Sequence, residues 1–229
     1  MAVFASLSIY SVSCKKDNPG LKPSEERYYP LQTGFWREYD VDSVVFRGST
    51  FEANDTVHFQ LREETDSTFT DNTGTTNYFV KTLYRANNTE NWTLRYISAA
   101  SIKGRYAELL QNNNRYIKLV FPAYENAEWD ANLYNNSDPD KFIKSKYTSV
   151  HNSANINGKN FDSTVVVEVK NEENAILREY ETEQYAAGIG LIKHVWESIE
   201  TQKNPDTNVE GNVRRGWFFY KNLTGYGKQ

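Results

Sequence analysis

Histidine side chains are the first candidates for chemistry in this chain of 229 residues, because imidazole serves as a general base and as a metal ligand near neutral pH. The three histidines, His58, His151 and His194, lie far apart, and each falls alone inside a segment that predicts a strand. None has a second histidine or a cysteine at the spacing that brings two zinc ligands together. The sequence therefore predicts partly exposed strand histidines, no metal site and no cofactor.

Acidic residues are plentiful, and two carboxylates are the usual machinery of glycoside hydrolysis. Neighbouring carboxylates occur at Glu63 and Glu64 and at Glu172 and Glu173, but their spacing does not place two of them across a glycosidic bond. The motifs of serine hydrolases and of phosphate-binding loops are absent from the sequence. We therefore predict no catalytic residues and a protein that is not an enzyme. A hydrolase that acts on glycans through a carboxylate pair is the alternative.

Tryptophan offers a different chemistry, the stacking of a flat indole ring against a sugar. The sequence does not reveal which face of a strand each indole occupies, and aromatic side chains contribute most to protein cores. A glycan-binding platform and an aromatic core therefore both stay open for the five tryptophans, Trp36, Trp92, Trp129, Trp196 and Trp217.

The single cysteine is set apart by its position. Met1–Ser13 is uncharged and ends in small residues, and the chain becomes charged and rich in turn formers directly after Cys14. The tetrapeptide SVSC at 11–14 resembles the lipobox of bacterial lipoproteins, which implies that the Cys14 thiol carries a diacylglyceryl group. Residues 1–13 are then a signal-peptide remnant, and residues 14–27 are a lipidated, flexible tether. The alternative is a buried free cysteine in an N-terminal strand.

Behind the tether, the hydrophobic pattern is that of β-strands. Apolar and polar residues alternate with a period of two through 34–48 and 55–64, and turn formers such as Asn157 and Gly158 separate the strands. About ten to twelve strands follow at intervals of roughly 8–15 residues, which is typical of an antiparallel β-sandwich or barrel. At most one short helix is expected, near 175–187.

Composition and charge limit the possible partners. Residues 28–229 are long enough for a single β-rich domain, and an aromatic content of 14% suits the half-buried surface of a sheet. The formal net charge is −4 and no stretch gathers Lys and Arg into a patch, so nucleic acid is not an expected partner. No apolar run is long enough to span a bilayer as a helix. The expected membrane contact is therefore the lipid anchor at Cys14.

Three stretches resemble uncharacterised outer-membrane lipoproteins of Bacteroidota. They are YYPLQTGFWREYDVDSV at 28–44, NNNRYIKLVFPA at 112–123 followed by Trp129, and YAAGIGLI at 185–192. The resemblance covers most of residues 28–201 and implies a β-rich domain that is lipid-anchored at the outer membrane, on either its periplasmic or its outer face. It implies no known activity and no site residues.

A second resemblance concerns covalent modification. An aspartate followed by Ser or Thr and then by an apolar residue or Thr resembles the O-glycosylation sequon of exported Bacteroidota proteins. Composition alone gives on the order of one such triplet, whereas the chain has four, and strands rich in Thr and Val are the alternative explanation for them. A loop position is favoured over a strand centre, because a bulky glycan needs the surface. The candidate hydroxyl residues are Ser43, Thr56, Ser67 and Ser163.

The lipobox resemblance and the missing catalytic set define the expected function. We expect a lipid-anchored cell-envelope protein without enzymatic activity, acting as a binding or accessory module for an envelope protein or a glycan. The hydrolase alternative requires two inward-facing carboxylates in one cleft. A purely structural envelope protein is the third alternative, and it is expected to have no open pocket.

Overall fold

Almost every regular element of the protein is a β-strand. The computed structural model describes residues 25–47, 55–135, 142–174, 176–202 and 212–229. A short 3-10 helix, η1 (Glu25–Tyr28), precedes the strands, so residues 25–27 belong to the folded domain. Within the described ranges, no helix has the length and apolar character needed to cross a membrane. The strands are β1 (Phe35–Arg47), β2 (Asp55–Thr70), β3 (Thr76–Arg85), β4 (Thr93–Lys103), β5 (Tyr106–Gln111), β6 (Asn114–Val120), β7 (Glu128–Asp130), β8 (Lys144–Ile156), β9 (Lys159–Glu173), β10 (Leu177–Ala186), β11 (Gly190–Gln202) and β12 (Asn212–Lys228).

The strands form one antiparallel sheet in the order β6-β5-β4-β3-β2-β1-β12-β11-β10-β9-β8-β7. Consecutive strands pair with each other except for β6 and β7, which are the two edges, and β1 also pairs with β12. The two edges of the sheet come together, because the Ile117 N–H on β6 donates to the Ala131 carbonyl just after β7 over 2.9 Å. The Trp129 indole on β7 also donates to the Ile117 carbonyl at 3.0 Å. The sheet is therefore a nearly closed barrel, which confirms the expected all-β class.

The segment in which a short helix was expected is a strand. Residues 177–186 form β10, which pairs with β9 on one side and β11 on the other. The segment is rich in Glu, Gln and Arg, which favour helices when the local sequence alone decides. Here the pairing on both sides overrides that weak preference. The chain then turns at Gly188 with a φ of 77°, a conformation that glycine adopts without strain.

The inner face of the barrel carries the core, because side chains alternate between the two faces of each strand. Two clusters of buried apolar residues occupy this face. One includes Leu119, Tyr147 and Val165, and the other includes Tyr39 and Ile192. Tyr147 also hydrogen-bonds the backbone of β6, both from its hydroxyl to the Val120 carbonyl at 2.9 Å and from the Val120 N–H at 3.0 Å. The core therefore also helps to hold the seam between the two edges.

The helix η1 covers one end of the barrel. The Gly188 N–H in the β10–β11 turn donates to the Arg27 carbonyl at 2.7 Å, and Tyr28 is fully buried in the first core cluster. Burial of a side chain of this size contributes roughly 2 kcal/mol to stability. The Tyr28 hydroxyl lies 2.7 Å from His151 Nδ1 on β8 and 2.6 Å from Ser163 Oγ on β9. This chain of hydrogen bonds ties η1 to two further strands.

Candidate functional site

An open cavity of about 650 Å³ lies inside the barrel. This volume falls within the range of roughly 300–1,000 Å³ that is usual for ligand pockets. Much of the wall is apolar, with Leu61, Val80, Leu109, Ile117 and Val169 on it. Seven acidic or basic side chains also line the cavity, namely Arg37, Glu63, Lys118, Glu181, Glu183, His194 and Lys221.

Three of these charged residues form a row across adjacent strands. Glu183 on β10 lies opposite His194 on β11, and His194 lies opposite Lys221 on β12. Residues that face each other in an antiparallel pair have Cβ atoms about 5 Å apart. The register of the three strands therefore brings a carboxylate, an imidazole and an ammonium group together on the inner face.

The carboxylate of Glu63 on β2 is held by three donors. The Lys221 ammonium bonds one oxygen, and the other oxygen lies 3.3 Å from Arg37 Nη2 and 3.2 Å from the Tyr39 hydroxyl. Burial by itself raises the pKa of Glu63, but the charges of Lys221 and Arg37 outweigh burial and lower that pKa to about 2. Glu63 is therefore ionised at neutral pH, and its charge is shared by two cations.

Gly190 makes room for the guanidinium of Arg37. A Cβ at Gly190 would clash with Arg37 Nη1, and the φ of 91° at Gly190 is itself unfavourable for any other residue. Arg37 Nη1 donates to the neighbouring Ile189 carbonyl at 3.2 Å. The turn that contains Gly188 and Gly190 therefore also positions a charged group of the cavity.

An ion pair crosses the lumen between strands that are not neighbours in the sheet. Lys118 Nζ on β6 lies 2.6 Å from one oxygen of Glu183 on β10, and the Tyr185 hydroxyl donates to the other oxygen at 2.6 Å. Burial by itself raises the pKa of Glu183, but Lys118 and His194 outweigh burial, so this pKa is lowered. Burial opposes the charge on Lys118 in the same way, but Glu183 and Glu181 raise its pKa. Both partners are therefore charged at neutral pH.

Glu181, Glu183 and His194 lie close enough together to resemble a set of metal ligands. One candidate ligand atom from each lies within 4.8 Å of the other two, and His194 Nε2 is 2.9 Å from a Glu181 oxygen. The Lys118 ammonium already bonds Glu183, and a second cation beside it would be repelled. The three residues therefore form a polar cluster in which His194 bonds Glu181 and Lys118 bonds Glu183.

The histidines differ from one another in their surroundings. His58 and His151 have side chains that are 73% and 46% exposed, which confirms the expectation for these two. His194 is partly exposed as well, but its exposed fraction is only 16%. The difference arises because His194 faces the lumen, where Glu181 and Phe219 cover it.

One partly exposed tryptophan belongs to the cavity wall, and a second packs against it. Trp196 on β11 lines the cavity, and its side chain is 40% exposed. Trp217 on β12 is 38% exposed and packs edge-on against Trp196, with ring centroids 5.3 Å apart and planes at 89°. Trp129, by contrast, is a core residue with 8% exposure. Of these three tryptophans, Trp196 is therefore the candidate for a glycan-binding platform, and Trp217 packs against its ring.

The other two tryptophans lie under guanidinium groups. The Arg62 guanidinium lies 4.6 Å from the Trp36 ring centroid, and the Arg85 guanidinium lies 4.2 Å from that of Trp92. Neither indole lines the cavity among the described residues.

The residues predicted for modification do not come together. Cys14, the lipidation candidate, lies outside the described residues. Ser43, Thr56 and Ser163 lie within paired strands, and Ser163 Oγ is bonded to Tyr28 as described above. Ser67 is exposed and lies at a β-bulge of β2. O-glycosylation at the four positions stays a prediction, and Ser67 is the most accessible serine among them.

Comparison with known proteins finds similar solved structures but no protein of known activity among the bacterial ones. No family model matches the chain, and no curated protein does. Among solved structures, the chain is similar to a predicted exported protein with a YmcC-like fold from Bacteroides fragilis, at 13% identity and a TM-score of 0.43. It is similar to a predicted lipoprotein from Parabacteroides distasonis, at 12% identity and a TM-score of 0.44. Both alignments cover 87% of this chain and 98% of the other. Lipovitellin aligns with 87% of this chain over 26% of its own, at 10% identity and a TM-score of 0.42.

Proposed function

We propose that the chain is a lipid-anchored cell-envelope protein, without enzymatic activity, that binds a small ligand in the lumen of its barrel. The observation that carries the binding function is the open cavity of about 650 Å³, with a partly exposed tryptophan at its wall. Protein interiors are normally packed to the density of organic crystals, so a purely structural barrel needs no such space. The envelope location rests on the resemblance of residues 11–14 to a lipobox.

The charged lining supports a binding function on energetic grounds. Replacing a buried ion pair by well-packed apolar residues is often neutral or stabilises a protein by about 1–4 kcal/mol. Well-packed apolar residues at both positions of the Lys118–Glu183 or the Lys221–Glu63 pair would therefore serve stability as well, although removing one partner alone leaves a buried charge unpaired. Charged groups that converge in a cleft are typical of functional sites.

The hydrolase alternative meets one of its two requirements. Glu181 and Glu183 are inward-facing carboxylates in one cleft. A glycosidase also needs a carboxylic acid that keeps its proton near neutral pH, which requires a raised pKa. The pKa of Glu183 is instead lowered, because Lys118 and His194 outweigh burial, and Glu181 is bonded to His194. Binding is therefore better supported than hydrolysis.

A thermal-shift experiment on the full chain tests lumen binding. The probes are neutral disaccharides, palmitate, adenosine and divalent cations, each with wild type and with Leu109→Trp, which fills the cavity. A ligand at 100 times its Kd stabilises the native state by about 2.7 kcal/mol. We expect one class of probe to raise the Tm of wild type and to have no effect on the filled variant. The control Leu94→Trp adds the same side chain at an exposed position and should respond as wild type does.

Two outcomes would contradict the proposed function. A Tm shift of equal size in wild type and Leu109→Trp would place the ligand outside the lumen. No shift with any probe would favour the purely structural alternative.

A further inference from the structure

The hydrogen-bonding groups of the lumen specify a class of ligand. We propose that the cavity binds an uncharged saccharide, with one sugar ring packed against Trp196 and its hydroxyl groups bonded to Glu181 and His194. This inference rests on the proposed lumen binding and deepens it by naming the chemistry of the ligand.

The charge balance of the cavity argues for an uncharged ligand. Among the described lining residues, the three lysine or arginine side chains face three carboxylates. Their charges cancel when His194 is neutral, so an anionic or cationic ligand meets no net opposite charge. A metal cation would also have to compete with the Lys118 ammonium for Glu183.

The same groups argue against an acyl chain. A lipid tail in the lumen would remove water from the Lys118–Glu183 and Lys221–Glu63 pairs and offer no hydrogen bond in return, which is unfavourable. A sugar hydroxyl both donates and accepts, so it can bond a carboxylate, an ammonium group or an imidazole. A polyhydroxyl ligand therefore fits a wall that mixes apolar and charged side chains.

The position of Trp196 suits the stacking of a sugar ring. A hexopyranose presents a face of C–H groups that packs on an indole, while its hydroxyl groups project from the edge of the ring. Glu181 lies directly opposite Trp196 in the β10–β11 register, so its carboxylate is within reach of those hydroxyl groups. Trp217 packs edge-on against Trp196 and fixes the orientation of its ring.

Neutral hydrogen-bonding groups complete the site. Tyr96, Tyr116 and Gln111 line the cavity, and their side chains make no hydrogen bond within the described part of the chain. Each can donate to or accept from a sugar hydroxyl. Specific binding of small molecules depends on a few such polar groups set in an apolar wall.

NMR titration of the full chain tests this inference. Maltose, cellobiose and N,N′-diacetylchitobiose are added to 15N-labelled protein, and the indole N–H resonances are followed, with that of Trp196 assigned by its loss in Trp196→Ala. We expect at least one disaccharide to shift the Trp196 resonance. Trp196→Ala should then weaken binding of that sugar at least tenfold, measured by calorimetry, and Glu181→Gln should weaken it severalfold. Trp92→Ala is the matched control, because its indole lies under Arg85 away from the cavity, and it should leave the Kd within twofold.

Failure of the ligand class is distinguishable from failure of lumen binding. Palmitate or adenosine binding that Leu109→Trp abolishes, with no sugar binding, would overturn the saccharide and leave lumen binding intact. Sugar binding that Trp196→Ala leaves unchanged would overturn the placement on Trp196. If none of the three sugars binds, the inference is refuted, and the thermal-shift panel decides separately whether the lumen binds anything.

Discussion

Neutralising Glu63 should destabilise the protein by about 3 kcal/mol at neutral pH. The substitution Glu63→Gln keeps the size of the side chain and removes the charge that Lys221 and Arg37 share. The pKa of Glu63 is about 2 in place of its ordinary value of 4.5, and at 1.36 kcal/mol per pKa unit this corresponds to about 3 kcal/mol. Breaking a buried ion pair by removing one partner typically costs about 3–5 kcal/mol, which agrees in size.

The dependence on pH separates this charge effect from a packing defect. Because the folded-state pKa of Glu63 is lowered, its stabilisation is fully present above pH 4.5 and is lost as the pH falls towards 2. Urea unfolding at pH 7, 4 and 2.5 should therefore show a wide gap in unfolding free energy between wild type and Glu63→Gln that narrows as the pH falls. The control Glu64→Gln lies one residue along, its side chain is 27% exposed, and its partner Arg62 keeps a second carboxylate in Glu38, so it should cost at most about 1 kcal/mol. A gap that is the same at pH 7 and pH 2.5 would refute the reasoning.

Three further substitutions test how the cavity and the barrel are held together. Gly190→Ala should lower the unfolding free energy by about 1–3 kcal/mol, because the new Cβ is strained and clashes with Arg37. The loss should exceed that of the control Gly188→Ala, where the added Cβ meets nothing within 4 Å. Thermal unfolding compares the two variants, and equal losses would contradict the role of Arg37. Tyr28→Phe removes the hydroxyl group that bonds both His151 and Ser163, so it should lower the unfolding free energy, measured with urea, by about 1–2 kcal/mol. An unchanged unfolding free energy would show that the hydroxyl does not stabilise η1. Asn135→Ala removes the side-chain hydrogen bonds to the backbone N–H and carbonyl of Arg115. It should therefore speed amide hydrogen exchange along β6 and leave exchange along β12 unchanged. Equal acceleration in both strands would indicate global rather than local opening.

The strand content of this fold could be predicted because its signals are local. Alternation of apolar and polar residues and pairs such as Asn157 and Gly158 report on segments of about ten residues, and the structure has a hairpin turn at that pair. The segment at 177–186 shows the limit of such signals. Its helix-forming residues pair with β9 and β11, and the local sequence does not report those partners.

The lumen site could not be predicted, because it is made by register between distant segments. Glu183, His194 and Lys221 meet only because β10, β11 and β12 align them, and Lys118 is 65 residues from Glu183 in the chain. Glu181 and Glu183 share one face only because 177–186 is a strand, whereas the sequence predicted a helix there. Polar residues also occupy both faces of β10, so the sequence pattern does not separate the inner face from the outer one.

The pairing of β1 with β12 makes the barrel from two halves that are each local in sequence. Strands β1–β6 and β7–β12 are consecutive meanders, and their backbones join at the β1–β12 pair and at the seam between β6 and β7. The first half brings Arg37, Lys118 and Glu63 to the lumen, and the second brings Lys221 and two glutamates, so the halves carry opposite net charges there. Contacts that span most of the chain, such as Phe35 with Lys228, carry a high loop-closure entropy cost in a single chain. A chain cut between β6 and β7 should therefore give two fragments of complementary charge that reassemble through their shared lumen.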